Sequence, residues 1–565
     1  MSLLTTIQMA GNTLNAAQIG LQVVGQNVAN VDTPGYSREV VNFTASAPQT
    51  IGALTLGTGV QVAGVTQEVD QFVEQQLRGA NADASGSQVE SQTYQSLEGL
   101  LNSLGDNSLG SSLTSFFSSI NAVLNSPDDV SQRNLAVLAG QTLTQQFNNL
   151  AQQAVSTSNN LDQQVSGSAG TINQLVQQIA GLNSQITQTE GGNGASSPAV
   201  GLTDQRSEDL TQLSNLININ VVPQADGAVS VYTGGNYLVF GSETQQVKAV
   251  QSTVNGSTVS NIEFVGTNAA LDPTSGNLAG LINSRDQIVG GFLGNLNSLA
   301  NTVADEFNKV YASGQGLTGY QSVTSQTSVT DPNAPLDAAG LTNTPVNGSF
   351  DIEVNDPTTG QTQTSTINVD LTGLGQDTTL NSVVQQLNAV SGVSASINNQ
   401  GQLTIASTSP NDQLAFANDS SGLLASLGVN TFFTGTTALD LGVNADVAND
   451  PGKFAASQGG IGQDTNNAVA LAGFYDQPLA SQNGSSLSNL YNQLAEGVTQ
   501  SSAQSQAAAS GYQTYQATLQ GNSMAVSGVS IDEETINMLS YQRQYQASAQ
   551  LISTINTLLN TLVTL

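Results

Sequence analysis

The chain has 565 residues, 38% of them apolar and only 9% charged, and its 41 acidic side chains face nine basic ones for a formal net charge of −32. So few cations exclude phosphate neutralisation of nucleic acid and polybasic attachment to anionic membranes. Cys, His and Trp are absent, which excludes disulfide frameworks, thiolate nucleophiles, His-based triads and zinc sites of ordinary composition.

The N-terminal stretch is written at alternating spacings of four and three: Leu3, Ile7, Ala10, Leu14, Ala17, Leu21, Val24, Val28 and Val31, with no charge before Asp32. This is the pattern of a helix that packs along another helix. Alone it is marginal in water, because helix stability comes mainly from packing, so a partner is expected elsewhere in the chain. The run Asp32-Thr33-Pro34-Gly35-Tyr36 breaks it. Short β-prone pieces follow at 40–43, 55–56 and 60–65. The N-terminus lacks a basic region followed by an apolar core and a small-residue cleavage site, so no Sec-type signal is expected. No apolar run is long enough to span a bilayer.

Helical patterning then dominates to about residue 217. Ser126-Pro127-Asp128-Asp129 reads as a helix start, with a capping Ser, Pro at the first helical position and acids in the first turn. Phe147, Leu150, Leu161, Val165, Ile172, Leu175, Ile179, Leu182 and Ile186 share one stripe. A helix unbroken to Thr189 would be ~90 Å long, which predicts an elongated molecule; two glycines within 166–170 are where it is open to interruption. A Gly/Ser/Pro loop at 190–201 precedes a helix at 202–217. The Asp226-Gly227 pair then predicts a tight hairpin between strands at 218–222 and 228–232. Further strands are expected at 238–240, 246–252 and 258–264, then a helix over 278–310 capped by Gly314.

Residues 320–440 differ in kind. Strands at 350–354 and 363–371, a short amphipathic helix at 380–390 and a second hairpin around Asn399-Gln400-Gly401 read as an inserted β-rich domain. Helices resume from 466. The last begins with acids at 531–534 and carries Met538, Tyr541, Tyr545, Ser548, Ile552, Ile555, Leu559 and Leu562 at the same three-four spacing as the N-terminal stripe. It is the counterpart that stripe lacks. The expected fold is mainly α with inserted β-rich domains: terminal helices paired as a coiled-coil-like rod, an elongated helical second domain with a small β element, and an outer α+β or β insert. The expected divisions are 1–60 with 522–565, 61–319 with 441–521, and 320–440.

No residue is assigned to catalysis, a cofactor or a metal. Asp128-Asp129 and Asp532-Glu533-Glu534 sit where helix N-termini attract acids, so capping outweighs acid–base chemistry. Asp204, Glu208 and Asp209 with Arg206 read as helix-surface charges. The acidity suggests a rival class, a secreted calcium-stabilised adhesin, but no Asp-x-Asp-x-Asp-Gly loop supports it.

The stretch Asn27-Val28-Ala29-Asn30-Val31-Asp32-Thr33-Pro34-Gly35-Tyr36-Ser37-Arg38 resembles the N-terminal signature of the bacterial flagellar rod, hook and hook-associated axial proteins. The tail from Ile531, with Met538, Tyr541-Gln542-Arg543-Gln544-Tyr545 and the terminus at 558–565, is similar to that family's C-terminal motif. The middle resembles the hook-associated branch through residues 202–206, the hairpin after Ile217, Phe432-Phe433-Thr434-Gly435, Asn449-Asp450-Pro451 and Ala455-Ala456-Ser457. Tyr311 stands where His is expected in many relatives. A hook or rod protein of the same family is the alternative.

The resemblance implies a structural protein of the hook–filament junction, exported unfolded by the flagellar type III apparatus without a cleaved signal and residing in the extracellular flagellum. It implies no cofactor. Implied partners are further copies of itself, the hook protein, the second hook-associated protein, and a cytoplasmic export chaperone at the C-terminal region. The residues expected to build the assembly interface are Leu3, Ile7, Leu14, Leu21, Val24 and Val28 with Met538, Tyr541, Tyr545, Ile552, Ile555, Leu559 and Leu562. The expected signature residues are Asn27, Asn30, Thr33, Pro34, Gly35, Tyr36, Arg38, Gln542 and Arg543. The terminal seams are expected to close mainly against neighbouring subunits.

Overall fold

A computed structural model describes residues 3–33, 35–51, 54–101, 108–190, 199–254 and 257–564. Pro34, Leu565 and positions 191–198 of the predicted Gly/Ser/Pro loop lie outside the described residues. In chain order the helices are α1 (Leu3–Ala29), α2 (Gln71–Leu101), α3 (Leu109–Asn125), α4 (Val130–Thr189), α5 (Val200–Leu216), α6 (Asn277–Asn283) and α7 (Gly290–Tyr311). Then come α8 (Leu380–Asn388), α9 (Leu423–Leu427), α10 (Ala445–Asn449), α11 (Asn466–Gly473), α12 (Leu487–Ser527) and α13 (Ile531–Val563). The fold is mainly helical with small antiparallel sheets, and the terminal helices α1 and α13 pack together as the matching stripes predict. Residues 1–93, 159–286 and 503–565 form one compact unit, and 94–158 with 287–502 form another.

In the first unit, Glu39–Ala45 pairs antiparallel with Val60–Gln67 beside α1. The predicted Asp-Gly hairpin is present: Gly227 takes a φ of 85°, and Asn220–Pro223 pairs with Val229–Thr233. The strand Asn236–Phe240 extends that sheet, and Val247–Val254 with Ser257–Phe264 makes a separate ribbon. Arg206 departs from the sequence reading. It is buried rather than on a helix surface, because the hairpin docks on α5 and its Gly227 carbonyl accepts from Arg206 Nη1 at 2.8 Å. The same nitrogen donates to Asn183 Oδ1 at 2.9 Å, and burial lowers the Arg206 pKa to about 10.

The helix predicted over 278–310 is divided by a π-helical turn, Ser284–Val289. Within it Arg285 is buried and binds Asp286, Asp162 (2.8 Å) and the Asn261 side chain (3.1 Å). π-turns inside helices are uncommon and tend to mark positions with a special task, here the aiming of one guanidinium at four partners, the Ser260 carbonyl being the fourth. No periodicity argument reveals this, since Arg285 and Asp162 are 123 residues apart.

Two predicted helix boundaries move. Ser126 ends α3 rather than starting α4. The first turn of α4 is capped by Asp129, whose side chain accepts from Ser131 N at 2.8 Å, while Arg133 Nε takes the Pro127 carbonyl at 2.9 Å. Helix α4 is unbroken through 166–170, with open space beside Gly167 and Gly170. Gly314 does not adopt a left-handed cap. It is small because the Asn467 side chain fills the place of a Cβ.

In the second unit, Phe116, Phe307, Tyr311, Phe432, Phe433 and Phe454 pack ring to ring in one buried cluster. Asn308 Oδ1 accepts from the Phe432 and Phe433 amides, both at 3.0 Å, which fixes the Phe-Phe pair against α7. Tyr311, at the position where His was expected, is buried beside Phe432 and Phe454. The predicted β-β-α-β-β run is present, with Gly348–Asp356 paired to Gln361–Val369 and Val393–Ile397 paired to Leu403–Ser407. The sequence reading missed Gln413–Ala417, which completes the first sheet, and Ser322–Thr324, which completes the second. Ile352, Ile367, Val383, Leu387, Ile405 and Phe416 lie in the core that these strands and α8 enclose.

Candidate assembly interface

The buried face of α1 is rotated from its hydrophobic stripe and shares only Ala10, Ala17 and Val24 with it. The buried residues are Ala10, Ala16, Ala17, Gly20, Val23, Val24 and Asn27 together with Thr5. Leu3, Ile7, Leu14, Leu21 and Val28 are only half-buried. Small side chains occupy the contact because α13 comes close. A Cβ on Gly20 would lie 2.8 Å from the Tyr541 ring. Tyr541 in turn meets Phe43 of the adjoining strand, with ring centroids 6.2 Å apart.

Gly20→Ala is therefore expected to destabilise the terminal pair despite its better helix propensity. Overpacking costs ~1–3 kcal/mol, against a propensity gain near ~1 kcal/mol. Thermal denaturation followed by circular dichroism checks this, and an unchanged or raised midpoint would contradict it.

On α13 the stripe is less covered still. Ile555 and Ser548 are buried, Met538, Tyr541, Ile552 and Leu559 half-buried, and Tyr545 and Leu562 exposed at 39% and 65%. The seam thus closes inside one chain through small residues, while most of its large apolar members remain partly open. Close helix contact selects Ala and Gly, and displaces Leu and Ile to the flanks. The stripe reading included Ala10, Ala17 and Val24 but passed over Ala16, Gly20, Val23 and Asn27, which lie one position to its side and are buried.

The signature residues converge at the end of α1. Asn27, buried, donates from Nδ2 to the Glu39 carbonyl at 2.9 Å and accepts at Oδ1 from the Glu39 amide (3.0 Å) and the Tyr36 hydroxyl (2.8 Å). Asn30 donates to the Gln26 carbonyl at 3.0 Å and accepts from Thr33 Oγ1 at 3.3 Å, which satisfies the frayed helix end. Gly35 has a φ of 76°, a left-handed conformation that glycine adopts without strain. Arg38 binds Glu533 at 2.7 Å and also Glu68, and its amide donates to the Ser527 carbonyl at 2.8 Å. It thereby ties the N-terminal signature to the start of α13, where Ser530 Oγ caps the helix by accepting from Glu533 N. Gln542 and Arg543 lie exposed on α13, apart from this cluster.

Carboxylates crowd the same place. Glu534 is buried at 2% exposure, and its Oε2 has no hydrogen-bond partner among the described residues. Burial, then Glu39, Asp204 and Glu534, raise the Tyr36 pKa. Asp204, read from the sequence as a surface charge, is half-buried and accepts from Ser37 N at 3.2 Å and Gln67 Nε2 at 2.5 Å. Burial lifts its pKa from 3.8 to about 6, and the neighbouring Glu39 adds to the shift. The folded chain therefore holds this proton more tightly than the unfolded one. The associated stability is fully present below pH 3.8 and is lost as pH rises through about 6. Burial likewise raises Glu39 and Asp209, so the slope has more than one source. Asp204→Asn is expected to flatten the slope across that window and to raise stability at neutral pH. Urea denaturation at several pH values reads both, and a variant with the native slope would remove Asp204 as the cause.

Three family profiles match the chain. They are the flagellar hook-associated protein FlgK helical domain over 94–326, the flagellar basal body rod FlgEFG protein C-terminal segment over 520–565, and the flagella basal body rod protein over 7–36. Flagellar hook-associated protein 1 of Escherichia coli (strain K12) is 27% identical over 590 residues, covering 100% of both chains. That of Salmonella typhimurium is 28% identical over 601 residues, again with 100% of both covered. The Bacillus subtilis protein is 25% identical over 351 residues, 56% of this chain and 68% of the relative. The fold is similar to that of the flagellar hook junction protein FlgK from Burkholderia pseudomallei, with a TM-score of 0.51 and 16% identity over 80% of this chain and 100% of that one.

Proposed function

Because this chain belongs to the flagellar hook-associated protein 1 family, we propose that its paired terminal helices are the surface through which copies join within the flagellum. The chain is a structural component of the hook–filament junction, located in the extracellular flagellum, and not an enzyme. Its partners are flagellar axial proteins. The observation that carries the interface reading is the split on the terminal helices. Small residues close the contact within one chain, while Leu14, Leu21, Tyr545 and Leu562 remain partly or largely open.

Each large apolar side chain taken fully from water contributes ~1.5–3 kcal/mol, offset by ordering costs of ~1–2 kcal/mol per residue. One neighbour gains little on that balance. A ring of neighbours covers both flanks of each helix pair, so the gain accumulates while the ordering cost is met once. The specific partners in this reading are further copies, the hook protein, the second hook-associated protein and a cytoplasmic export chaperone that binds the C-terminal region. Export unfolded by the type III apparatus completes it.

The junction role is tested by deleting the gene and examining cells by electron microscopy. Hooks without filaments, with flagellin lost to the medium, are expected; normal filaments would overturn it. The interface is tested by hydrogen exchange, in which amides of α1 and α13 are expected to gain protection on assembly. Protection already complete in a verified monomer would count against it.

A further inference from the structure

The nine cations are nearly all engaged within the fold. Arg133, Arg206 and Arg285 are buried. Arg133 binds the Pro127 and Phe454 carbonyls, Arg206 binds Asn183 and the Gly227 carbonyl, and Arg285 binds Asp162 and Asp286. Arg38 is bound by Glu68 and Glu533, Lys309 by Asp305 and Glu306, and Arg78 lies 3.9 Å from Glu74. Lys453 sits over the Tyr320 ring at 5.1 Å. Among the described residues that leaves Lys248 and Arg543 as exposed cations outside any ion pair. Of the described carboxylates, by contrast, only Glu39 and Glu534 are buried.

The surplus is unevenly placed. Residues 320–440 carry ten carboxylates and no Lys or Arg. Helix α1 has no charge, and α13 has only Asp532, Glu533, Glu534 and Arg543. The surfaces proposed to join copies are thus almost neutral, while the rest of the exterior is acidic with hardly any exposed compensation. Repulsion between like-charged copies is long-ranged, and apolar contact is short-ranged. Salt alters the first and leaves the second in place: the screening length is ~30 Å at 0.01 M, ~10 Å at 0.1 M and ~3 Å at 1 M.

We propose that the acidic exterior is an electrostatic brake on self-association, holding copies of this chain apart until counter-ions screen it and the terminal helices can meet. The inference rests on the interface reading above and adds the condition under which that interface acts. Counter-ions work by screening, so any salt of equal ionic strength releases the brake to the same degree.

Static light scattering of the purified full chain at neutral pH, from ~10 mM to ~1 M NaCl, tests it through the second virial coefficient. The coefficient is expected to be large and positive at low salt, and to fall through zero to attraction as salt rises. A variant neutralising exposed carboxylates (Glu98→Gln, Glu243→Gln, Asp272→Asn, Asp337→Asn, Asp476→Asn and Glu496→Gln) brings the net charge from −32 to −26 and, because repulsion scales with the square of the charge, is expected to reach zero at a salt concentration ~1.5-fold lower. A coefficient indifferent to salt would overturn the brake. So would millimolar Mg²⁺ matching the effect of ~1 M NaCl, because that is bridging and not screening. The double variant Leu14→Gln/Leu21→Gln separates the two readings. It should lose the low-salt repulsion as the native chain does, yet never turn attractive. If it turns attractive together with the native chain, the brake stands and the interface reading fails.

Discussion

Asn27→Ala is expected to release the segment from Tyr36 to Glu39 from the end of α1 and to cost about 3–5 kcal/mol, among the larger effects of any single substitution in the chain. The magnitude follows from what is left behind. The Glu39 amide and carbonyl both terminate on the Asn27 carboxamide, and both residues are buried. Removing the carboxamide orphans two backbone groups and deprives the Tyr36 hydroxyl of its acceptor. A buried polar group without a partner costs its desolvation, ~1–3 kcal/mol each, with little relaxation open to a backbone that is already part of a strand. Asn27→Asp should do no better, because it keeps the acceptor, loses the donor to the carbonyl and places a carboxylate against buried Glu39. Hydrogen exchange at Glu39 and chemical denaturation read the loss. An Ala variant with native protection at Glu39 would show that water or a shifted side chain replaces the clamp.

That clamp also shows where the sequence was legible. The partnership of the two terminal helices could be read because both carry the same three-four period and neither has charge along most of its length. The signature could be read as a unit, but the reason for its Asn could not. Asn27 acts on a residue 12 positions later, across a break that periodicity does not describe. Arg206 and Arg285 were opaque for the same reason: partners such as Asn183, Gly227 and Asp162 lie on other elements, and a charged residue on a helical pattern reads as surface until the docking element is known. Boundaries failed where two signals coincided. At 126–129 one Ser-Pro-Asp-Asp run serves both the end of α3, which Ser126 caps, and the start of α4, which opens at Val130 with Asp129 as its cap. The added strands at 322–324 and 413–417 escaped notice because strands so short carry little alternation.

The largest functional effect is expected from Leu14→Gln/Leu21→Gln, which should leave the monomer folded and abolish incorporation into the junction. Both side chains are half-buried, so within one chain each substitution removes only part of an apolar contact, and neither residue is among the buried ones of α1. The remaining exposed half is what a neighbour would cover. Losing that half from two leucines weakens each contact by roughly 1.5–3 kcal/mol, or about 10- to 100-fold. A single contact could tolerate this, but a closed assembly repeats it at every subunit, and the deficit multiplies around the ring. The expected result is a variant with a native circular dichroism spectrum and a melting midpoint within a few degrees of the parent, in cells that make hooks without filaments. Normal motility with a folded variant would move the interface off α1. A variant that fails to fold would instead show that Leu14 and Leu21 belong to the internal contact, and that the division of labour between small and large residues on this helix is wrong.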